Sequence, residues 1–195
     1  ISMRNAGYSD EEIRRSFSEK TGMTIFTYHG EVDTTMTPLD SIKYYKSFLR
    51  AGFMAIDPKN GGVRAYVGGL NYTHFKYDMV TLGRRQVGST IKPFLYSLAM
   101  ENGFTPCDMA PNVRQTYIVA GQPWTPRNSS HSRYGELVTL RWGLQQSNNW
   151  ISAYLMSKLN PMQFVSLLQK YGIDSPDIHP SMSLCLGPCE VSVAE

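Results

Sequence analysis

Ser89 and Lys92 form the one Ser-x-x-Lys pattern in this chain of 195 residues. A serine hydroxyl is a poor nucleophile unless a base lies within hydrogen-bond reach. Residues i and i+3 share one face of a helix, so the spacing brings the two side chains together. Lysine is a base only when neutral, and both burial and the positive end of a helix dipole lower its pKa from about 10.4. The pattern predicts a serine nucleophile with Lys92 as its base.

A second segment whose side chains could take part in catalysis is Ser147-Asn148-Asn149, at a break between two predicted helices. A hydroxyl at Ser147 can pass a proton to a leaving amine, and the amide of Asn149 can bind a substrate carbonyl and orient Lys92. The same residues also suit a helix start, with Ser147 or Asn148 as the N-cap. From this segment alone both interpretations stay open.

The elements that must position these groups are indicated by local signals in the first third of the chain. Ser9 and Glu12 have the spacing of a capping box at a helix start. Residues 23–28 favour a strand, and Thr37 and Pro38 open a helix that we expect to run to about Arg50, with Gly52 as a stop signal. The apolar runs 53–56 and 63–67 flank a turn-forming segment and predict a β-hairpin.

Downstream, the sequence predicts a helix over 89–100, with Phe94, Leu95, Leu98 and Ala99 on its buried side. Pro93 is tolerated only in the first turn of a helix, so the helix must begin close to Ser89. Residues 105–135 are rich in Pro, Asn and Ser and predict a long surface excursion. The chain is expected to be helical again from Leu137, to pause at 147–149, to resume over 151–159 and to form one more helix between Pro161 and Gly172.

The composition excludes several classes of function. A net charge of +3 without a basic cluster does not indicate nucleic acid as a partner. No apolar run reaches the ~18 residues of a membrane span, and the first residues do not resemble a signal peptide. Four scattered His and three Cys predict no metal site; we expect Cys107, Cys185 and Cys189 to be buried free thiols, a local Cys185–Cys189 bridge being the alternative. The first and last residues suggest an excised piece of a longer protein.

Several segments together resemble the transpeptidase domain of class A penicillin-binding proteins, the bifunctional peptidoglycan synthases, whose motif set includes Ser-x-x-Lys and Lys-Thr-Gly. The similarity runs from about Gly52 to the end of the chain. The segments that carry it are residues 55–69, 83–96 (GRRQVGSTIKPFLY), 124–128, 134–141 and 183–192.

The resemblance implies an α+β fold of the penicillin-binding protein and β-lactamase type, with a helical cluster packed on an antiparallel sheet and the chain truncated before the Lys-Thr-Gly strand. It implies a linker over residues 1–51 and the N-terminal part of the transpeptidase domain over 52–195. The activity is expected to be D,D-transpeptidation of peptidoglycan stem peptides through an acyl-enzyme, without a cofactor, and with β-lactams acylating the same serine. The parent protein is expected to be a membrane-anchored, extracytoplasmic glycosyltransferase as well.

The resemblance also implies roles for individual residues. The catalytic residues are expected to be Ser89, Lys92, Ser147 and Asn149, and the substrate-binding residues are expected to be Gly88, Thr90, Arg127, Asn128 and Asn148.

A Lys-Thr-Gly triplet at residues 20–22 is expected to be coincidental. It precedes the predicted nucleophile, and the next residue, Met23, lacks the hydroxyl that usually follows this motif. We predict that Lys20 is solvated and that Thr21-Gly22 forms a turn before a strand. The third motif is therefore missing from this sequence.

Two other functions remain as alternatives. A β-lactamase-like hydrolase shares the first two motifs but needs a base, typically a Glu, for deacylation, and the sequence offers no evident candidate. A non-catalytic β-lactam sensor keeps the pocket without the reaction, and the basic segment 83–86 argues mildly against it.

Overall fold

The structure, a computed structural model, describes residues 2–195 and is a mixture of helices and antiparallel strand pairs. This confirms the predicted α+β class. The α-helices are α1 (Ser2–Asn5), α2 (Asp10–Ser18), α3 (Pro38–Ser47), α4 (Lys92–Glu101), α5 (Leu140–Gln145), α6 (Asn149–Lys158) and α7 (Pro161–Lys170). The strands are β1 (Thr21–Thr27), β2 (Gly30–Met36), β3 (Phe53–Ile56), β4 (Val63–Val67), β5 (Arg85–Gln86), β6 (Met109–Pro111), β7 (Tyr117–Val119), β8 (Gln122–Trp124), β9 (Leu137–Thr139) and β10 (Glu190–Val191).

The sheet component consists of five two-stranded antiparallel ribbons in the described part of the chain, in which β1 pairs with β2, β3 with β4, β5 with β10, β6 with β9 and β7 with β8. The predicted hairpin at 53–67 is confirmed as β3–β4, with a register irregularity between Ala55 and Ile56. The β5–β10 pair joins the approach to Ser89 with a segment about a hundred residues later.

The capping box at the start of α2 is confirmed in both halves. The hydroxyl of Ser9 accepts from the backbone N–H of Glu12, and the Glu12 carboxylate accepts from the N–H of Ser9. The turn predicted at Thr21-Gly22 is wrong, because both residues already belong to β1 and pair with Met36 and Thr35. Strand β2 had no sequence prediction; its residues 30–36 are mostly polar, and the structure leaves most of them exposed.

Aromatic packing attaches the β1–β2 ribbon and α3 to the rest of the chain. The ring centroid of Phe75 lies 5.5 Å from those of Phe26 and Phe48, and the ring of His74 lies 5.4 Å from Phe26. His74 also contacts the carboxylate of Glu31 at 2.8 Å. Helix α3 ends at Ser47, three residues before the predicted end, and Phe48 turns into this aromatic cluster.

Three other predictions need correction. The segment 105–135 contains strands β6 to β8 as well as loops, and residues 137–139 form strand β9 before α5 begins. Strands β6 and β9 pair with each other, so residues far apart in sequence complete each other's backbone hydrogen bonds, whereas β7 and β8 form a separate local hairpin. Cys107 is exposed, whereas Cys185 and Cys189 are buried, and all three thiols are free.

The core lies among α4, α6 and α7. Leu95 and Ala99 of α4, Leu155 of α6 and Phe164 of α7 have no exposed surface. The predicted buried side of residues 89–100 is confirmed, except that Phe94 is only half-buried. None of the helices described between residues 2 and 195 is both long and apolar enough to span a bilayer.

Candidate active site

Ser89 lies at the surface, in a 3-10 turn that leads directly into α4. The turn spans Gly88–Ile91, and the α-helix begins at Lys92 with Pro93 in its first turn. The helix start predicted near Ser89 is therefore confirmed, although its first turn is of the 3-10 type, as is common at helix N-termini. Ser89 is exposed, so its hydroxyl is accessible to a ligand.

Lys92 has the opposite environment, with only 1% of its surface exposed. Its amine nitrogen Nζ donates to the carbonyl oxygen of Ser147 at 2.6 Å, to Oδ1 of Asn149 at 2.6 Å and to the hydroxyl of Ser147 at 3.1 Å. The structure thus brings together three of the four predicted catalytic residues, across 55 and 57 positions of sequence.

The predicted hydrogen bond between Ser89 and Lys92 is absent from the described residues. An ammonium group has three hydrogens, and all three already point to Ser147 and Asn149. Catalytic hydrogen bonds are often long in a ligand-free enzyme and shorten only when substrate is bound. Ser89 and Lys92 still share one face, because side chains at i and i+3 eclipse in a 3-10 turn.

Burial lowers the pKa of Lys92 from 10.5 to about 8, and a negative charge on the nearby Cys185 would act in the other direction. Burial also raises the pKa of Cys185 from 9.0 to about 12, so this thiol stays neutral while Lys92 titrates. The neutral, basic form of Lys92 is therefore accessible near neutral pH, as the sequence pattern requires.

These two shifts predict how stability depends on pH. Between pH 8 and 10.5 the unfolded chain binds more protons at Lys92 than the folded chain does, so stability rises with pH in this window. Above pH 9 the unfolded thiol of Cys185 loses its proton first, which acts against further gain. We expect Lys92 to add about 1 kcal/mol to the free energy of unfolding between pH 8 and 9.

Urea denaturation from pH 7 to 10 measures this effect as the difference in the free energy of unfolding between the native chain and Lys92→Met, which has no titratable group at this position. The native chain should gain stability relative to Lys92→Met as the pH rises from 8 to 9. A constant difference over that range would contradict the assigned shift.

Ser147 occupies a strained position that places both of its oxygens against Lys92. It follows the C-cap of α5 in the left-handed region, at φ 49°. The N–H of Ser147 donates to the carbonyl of Leu144, and the N–H of Asn148 donates to that of Gly143. This is the Schellman pattern, in which glycine is the usual residue. A serine here costs backbone strain, and such strain is concentrated at functional sites.

Asn148, one of the residues expected to bind substrate, is the N-cap of α6. It is 2% exposed, and its Oδ1 accepts from the N–H groups of Trp150 and Ile151. Its Nδ2 donates to Oδ1 of the buried Asn112 at 2.9 Å. The side chain therefore faces the interior. The sequence allowed this segment to be either a helix start or a group of catalytic side chains. In the structure Asn148 caps the helix, whereas Ser147 and Asn149 contact Lys92.

The segment 126–128 crosses the start of α6 and supports Asn149. The carbonyl of Arg127 accepts from Nδ2 of Asn149 at 2.7 Å, and Oδ1 of Asn128 accepts from the Asn149 backbone N–H at 3.0 Å. The carbonyl of Pro126 accepts from Nε1 of Trp150. Arg127 and Asn128 thus lie beside the site, where their described contacts orient Asn149.

Gly88 and Thr90 flank Ser89 and set the shape of its turn. Gly88 has φ 55°, and its N–H donates to the carbonyl of Gly187. The hydroxyl of Thr90 donates to the carbonyl of Val87 at 2.6 Å. A Cβ on Gly187 would approach the carbonyl oxygen of Gly88, so only glycine fits there. Sequence reasoning gave Gly187 no role, although residues 183–192 were among the segments that carried the resemblance.

Comparison with known proteins places this geometry in a family. The penicillin binding protein transpeptidase domain matches residues 51–180, and the penicillin-binding protein middle domain matches residues 1–49. The chain belongs to the penicillin-binding protein transpeptidase family. It is similar to penicillin-binding protein 1A of Escherichia coli, at 36% identity over 141 residues that cover 71% of the chain and 16% of that protein. It is also similar to penicillin-binding protein 1A of Neisseria flavescens, at 30% identity over 97% of the chain and 22% of that protein.

Solved structures agree with this assignment. Penicillin-binding protein 1A from Haemophilus influenzae has a TM-score of 0.67 and 31% identity, over 73% of the chain and 21% of that protein. A peptidoglycan glycosyltransferase from Burkholderia ambifaria has a TM-score of 0.55 at 20% identity, over 79% of the chain and 52% of that protein, and shows a shared fold only. The predicted penicillin-binding protein fold is confirmed. The chain spans about a fifth of the length of the penicillin-binding proteins 1A named above.

The Lys-Thr-Gly triplet of this penicillin-binding protein chain lies on the β1–β2 ribbon. Thr21 and Gly22 are exposed, and Lys20 precedes the strand, also exposed. In the part of the chain that the structure describes, the triplet has no hydrogen bond to Lys92, Ser147 or Asn149.

Proposed function

We propose that the chain carries the nucleophile and proton-transfer residues of a D,D-transpeptidase that cross-links peptidoglycan stem peptides. Ser89 attacks the carbonyl of the D-Ala-D-Ala bond, an ester forms at its hydroxyl oxygen, and the terminal D-Ala leaves as an amine. The amine of a neighbouring strand then attacks the ester, forms the cross-link and restores Ser89. The observation that carries this proposal is the buried amine of Lys92, which lies next to the Ser89 turn and contacts Ser147 and Asn149.

The partners of Lys92 support a definite path for the proton. The carbonyl of Ser147 and Oδ1 of Asn149 can only accept, so they retain two N–H groups whether the amine is charged or neutral. The Ser147 hydroxyl can both accept and donate, so it alone among these contacts can exchange a proton with Lys92. In this proposal Lys92 takes the proton of Ser89, and Ser147 delivers it to the departing amine.

Substrate positioning falls to Asn149 and to the Ser89 turn. The amide nitrogen of Asn149 has two hydrogens, and one donates to the carbonyl of Arg127. The other is available for a substrate carbonyl. The N–H groups of Gly88 and Thr90 donate to Gly187 and Val87, so among the residues around the turn the N–H of Ser89 is the donor for a developing oxyanion.

The missing third motif predicts slow acylation by this chain alone. In the family that motif contributes a cation for the substrate carboxylate and a second oxyanion donor, and loss of one such donor costs about 10²–10³ in rate. Incubation with a fluorescent penicillin should label Ser89 slowly, and Ser89→Ala should remain unlabelled under the same conditions. Prompt stoichiometric labelling would contradict the expected rate, and labelling of Ser89→Ala would contradict the assigned nucleophile.

The fate of the acyl group separates this function from its rivals. A transpeptidase should keep a penicilloyl adduct and exchange the terminal D-Ala of a stem peptide for another D-amino acid. A β-lactamase-like hydrolase should release the adduct within seconds, and a sensor should keep it without catalysing exchange. Intact-mass spectrometry over time and chromatography of the peptide products distinguish these outcomes.

The domain arrangement and cellular context are part of the same proposal. We infer that residues 1–51 precede the transpeptidase domain as a connecting segment and that residues 52–195 form its N-terminal part. The matches to the middle and transpeptidase domains support this division. The similarity to longer proteins named penicillin-binding protein 1A supports a membrane-anchored, extracytoplasmic parent that also carries a glycosyltransferase.

A further inference from the structure

Asn112 is a fully buried polar side chain behind the candidate site, with 0% of its surface exposed. Its Nδ2 donates to the carbonyls of Ser132 and Arg133 at 2.9 Å each, and its Oδ1 accepts from Nδ2 of Asn148 at 2.9 Å. Its backbone also pairs with the loop around 132–136: the N–H of Asn112 donates to the carbonyl of Glu136, and its carbonyl accepts from the N–H of Gly135. The side chain thus joins the loop around 132–136 to the cap of α6.

Asn148 transmits this connection to the site because its neighbours on both sides contact Lys92. Its Oδ1 caps α6 at Trp150 and Ile151, and its backbone N–H completes the Schellman turn at Gly143. A rotation of the Asn148 side chain would therefore displace both the left-handed turn at Ser147 and the first residue of α6, Asn149. The bond to Asn112 is the described contact that opposes such a rotation from outside this junction.

We propose that Asn112 is a positioning residue that acts through Asn148 to keep Ser147 and Asn149 in contact with the amine of Lys92. This inference rests on the proposed function, because it assigns Asn112 to the same proton-transfer group. Without Asn112, the Nδ2 of Asn148 loses its buried acceptor, and a buried amide without a partner rotates towards another acceptor or draws in water. The contacts that exclude water from Lys92 would then open.

The electrostatic environment of Lys92 makes its titration a direct readout. Among the described residues, Cys185 is the titratable group whose charge would act on Lys92, and its thiol stays neutral while Lys92 titrates because its own pKa is about 12. Ser147 and Asn149 carry no charge. A looser junction would hydrate the ammonium form and move the pKa of Lys92 from about 8 towards 10.5.

The test compares Asn112→Ala, Asn148→Ser and the double variant by NMR titration of ¹³C-labelled lysine side chains. The signal of Lys92 is identified by its loss in Lys92→Met. Serine is as good an N-cap as asparagine, so Asn148→Ser retains the helix start and removes only the donor to Asn112. We expect both single variants to raise the pKa of Lys92, and the double variant to raise it no further, because the two residues act through one bond.

A rise of one in the pKa of Lys92 should lower its neutral fraction at neutral pH about tenfold, and the acylation rate of Ser89 should fall by the same factor. The pH at which the acylation rate rises should move to higher values by as much as the pKa of Lys92 does. Ile173→Ala is the matched control, since it removes core packing beyond α7 while it leaves the junction intact. It should lower the urea midpoint without changing the pKa of Lys92.

An unchanged pKa of Lys92 in Asn148→Ser would overturn the proposal, and so would additive shifts in the double variant. If Asn112→Ala does not fold, Asn148→Ser alone decides the question. Failure of the proposed function is separate: Ser89 of the native chain would then not react with penicillin over any incubation, while the pKa shifts in the variants would still be measured.

Discussion

Replacing Lys92 by methionine is expected to slow acylation of Ser89 by about 10²–10⁴-fold, the usual contribution of a positioned general base. Methionine is unbranched and apolar, so it fills the buried space left by the lysine stem without a charge to desolvate. The variant removes the proton acceptor and leaves the Ser89 turn in place. A smaller loss would mean that another group takes the proton of Ser89.

The rate is measured by intact-mass spectrometry of the penicilloyl adduct at a series of pH values. In the native chain the rate should rise with pH and level off above about 8, where Lys92 becomes neutral. In Lys92→Met this rise should vanish. Lys170→Met, at the exposed end of α7, is the matched control and should retain both the rate and its pH dependence.

Replacing Ser147 by glycine and by alanine should separate the effect of its backbone conformation on stability from the effect of its hydroxyl on the acylation rate. Both variants lose the hydroxyl that contacts Lys92 and retain the backbone carbonyl, so both should reduce the acylation rate by about 10²-fold or more. Their stabilities should differ, because φ is 49° at this position. Glycine adopts the left-handed region freely, whereas alanine pays about 1 kcal/mol or more.

We therefore expect Ser147→Gly to have a free energy of unfolding about 1 kcal/mol above that of Ser147→Ala, with activities equally low. Urea denaturation and labelling by fluorescent penicillin measure the two effects. Ala120→Gly is the matched control, since Ala120 has φ 50° in the exposed turn between β7 and β8. It should gain stability without any change in labelling. Full activity in Ser147→Gly would contradict the assigned proton relay.

The sequence alone determined the features that depend on neighbours within a few residues. The capping box at Ser9, the β3–β4 hairpin, the start of α4 near Ser89 and the break at 147–149 were all predicted. Caps, turns and proline positions act over one helical turn, so their signals lie next to the structure that they specify. The Ser-x-x-Lys pattern also identified Lys92 as a candidate base for the same reason.

Only the tertiary structure decided how these pieces meet. The contacts of Lys92 cross 55 residues, and they exist because α4 packs against the α5–α6 junction. Within Ser147-Asn148-Asn149, the side chain of Asn148 turns inwards and caps α6, whereas Ser147 and Asn149 contact Lys92. No local sequence signal encodes these side-chain directions. Strand β9 and the buried Asn112 were likewise invisible in sequence, because a short strand and a buried amide are stabilised by partners far along the chain.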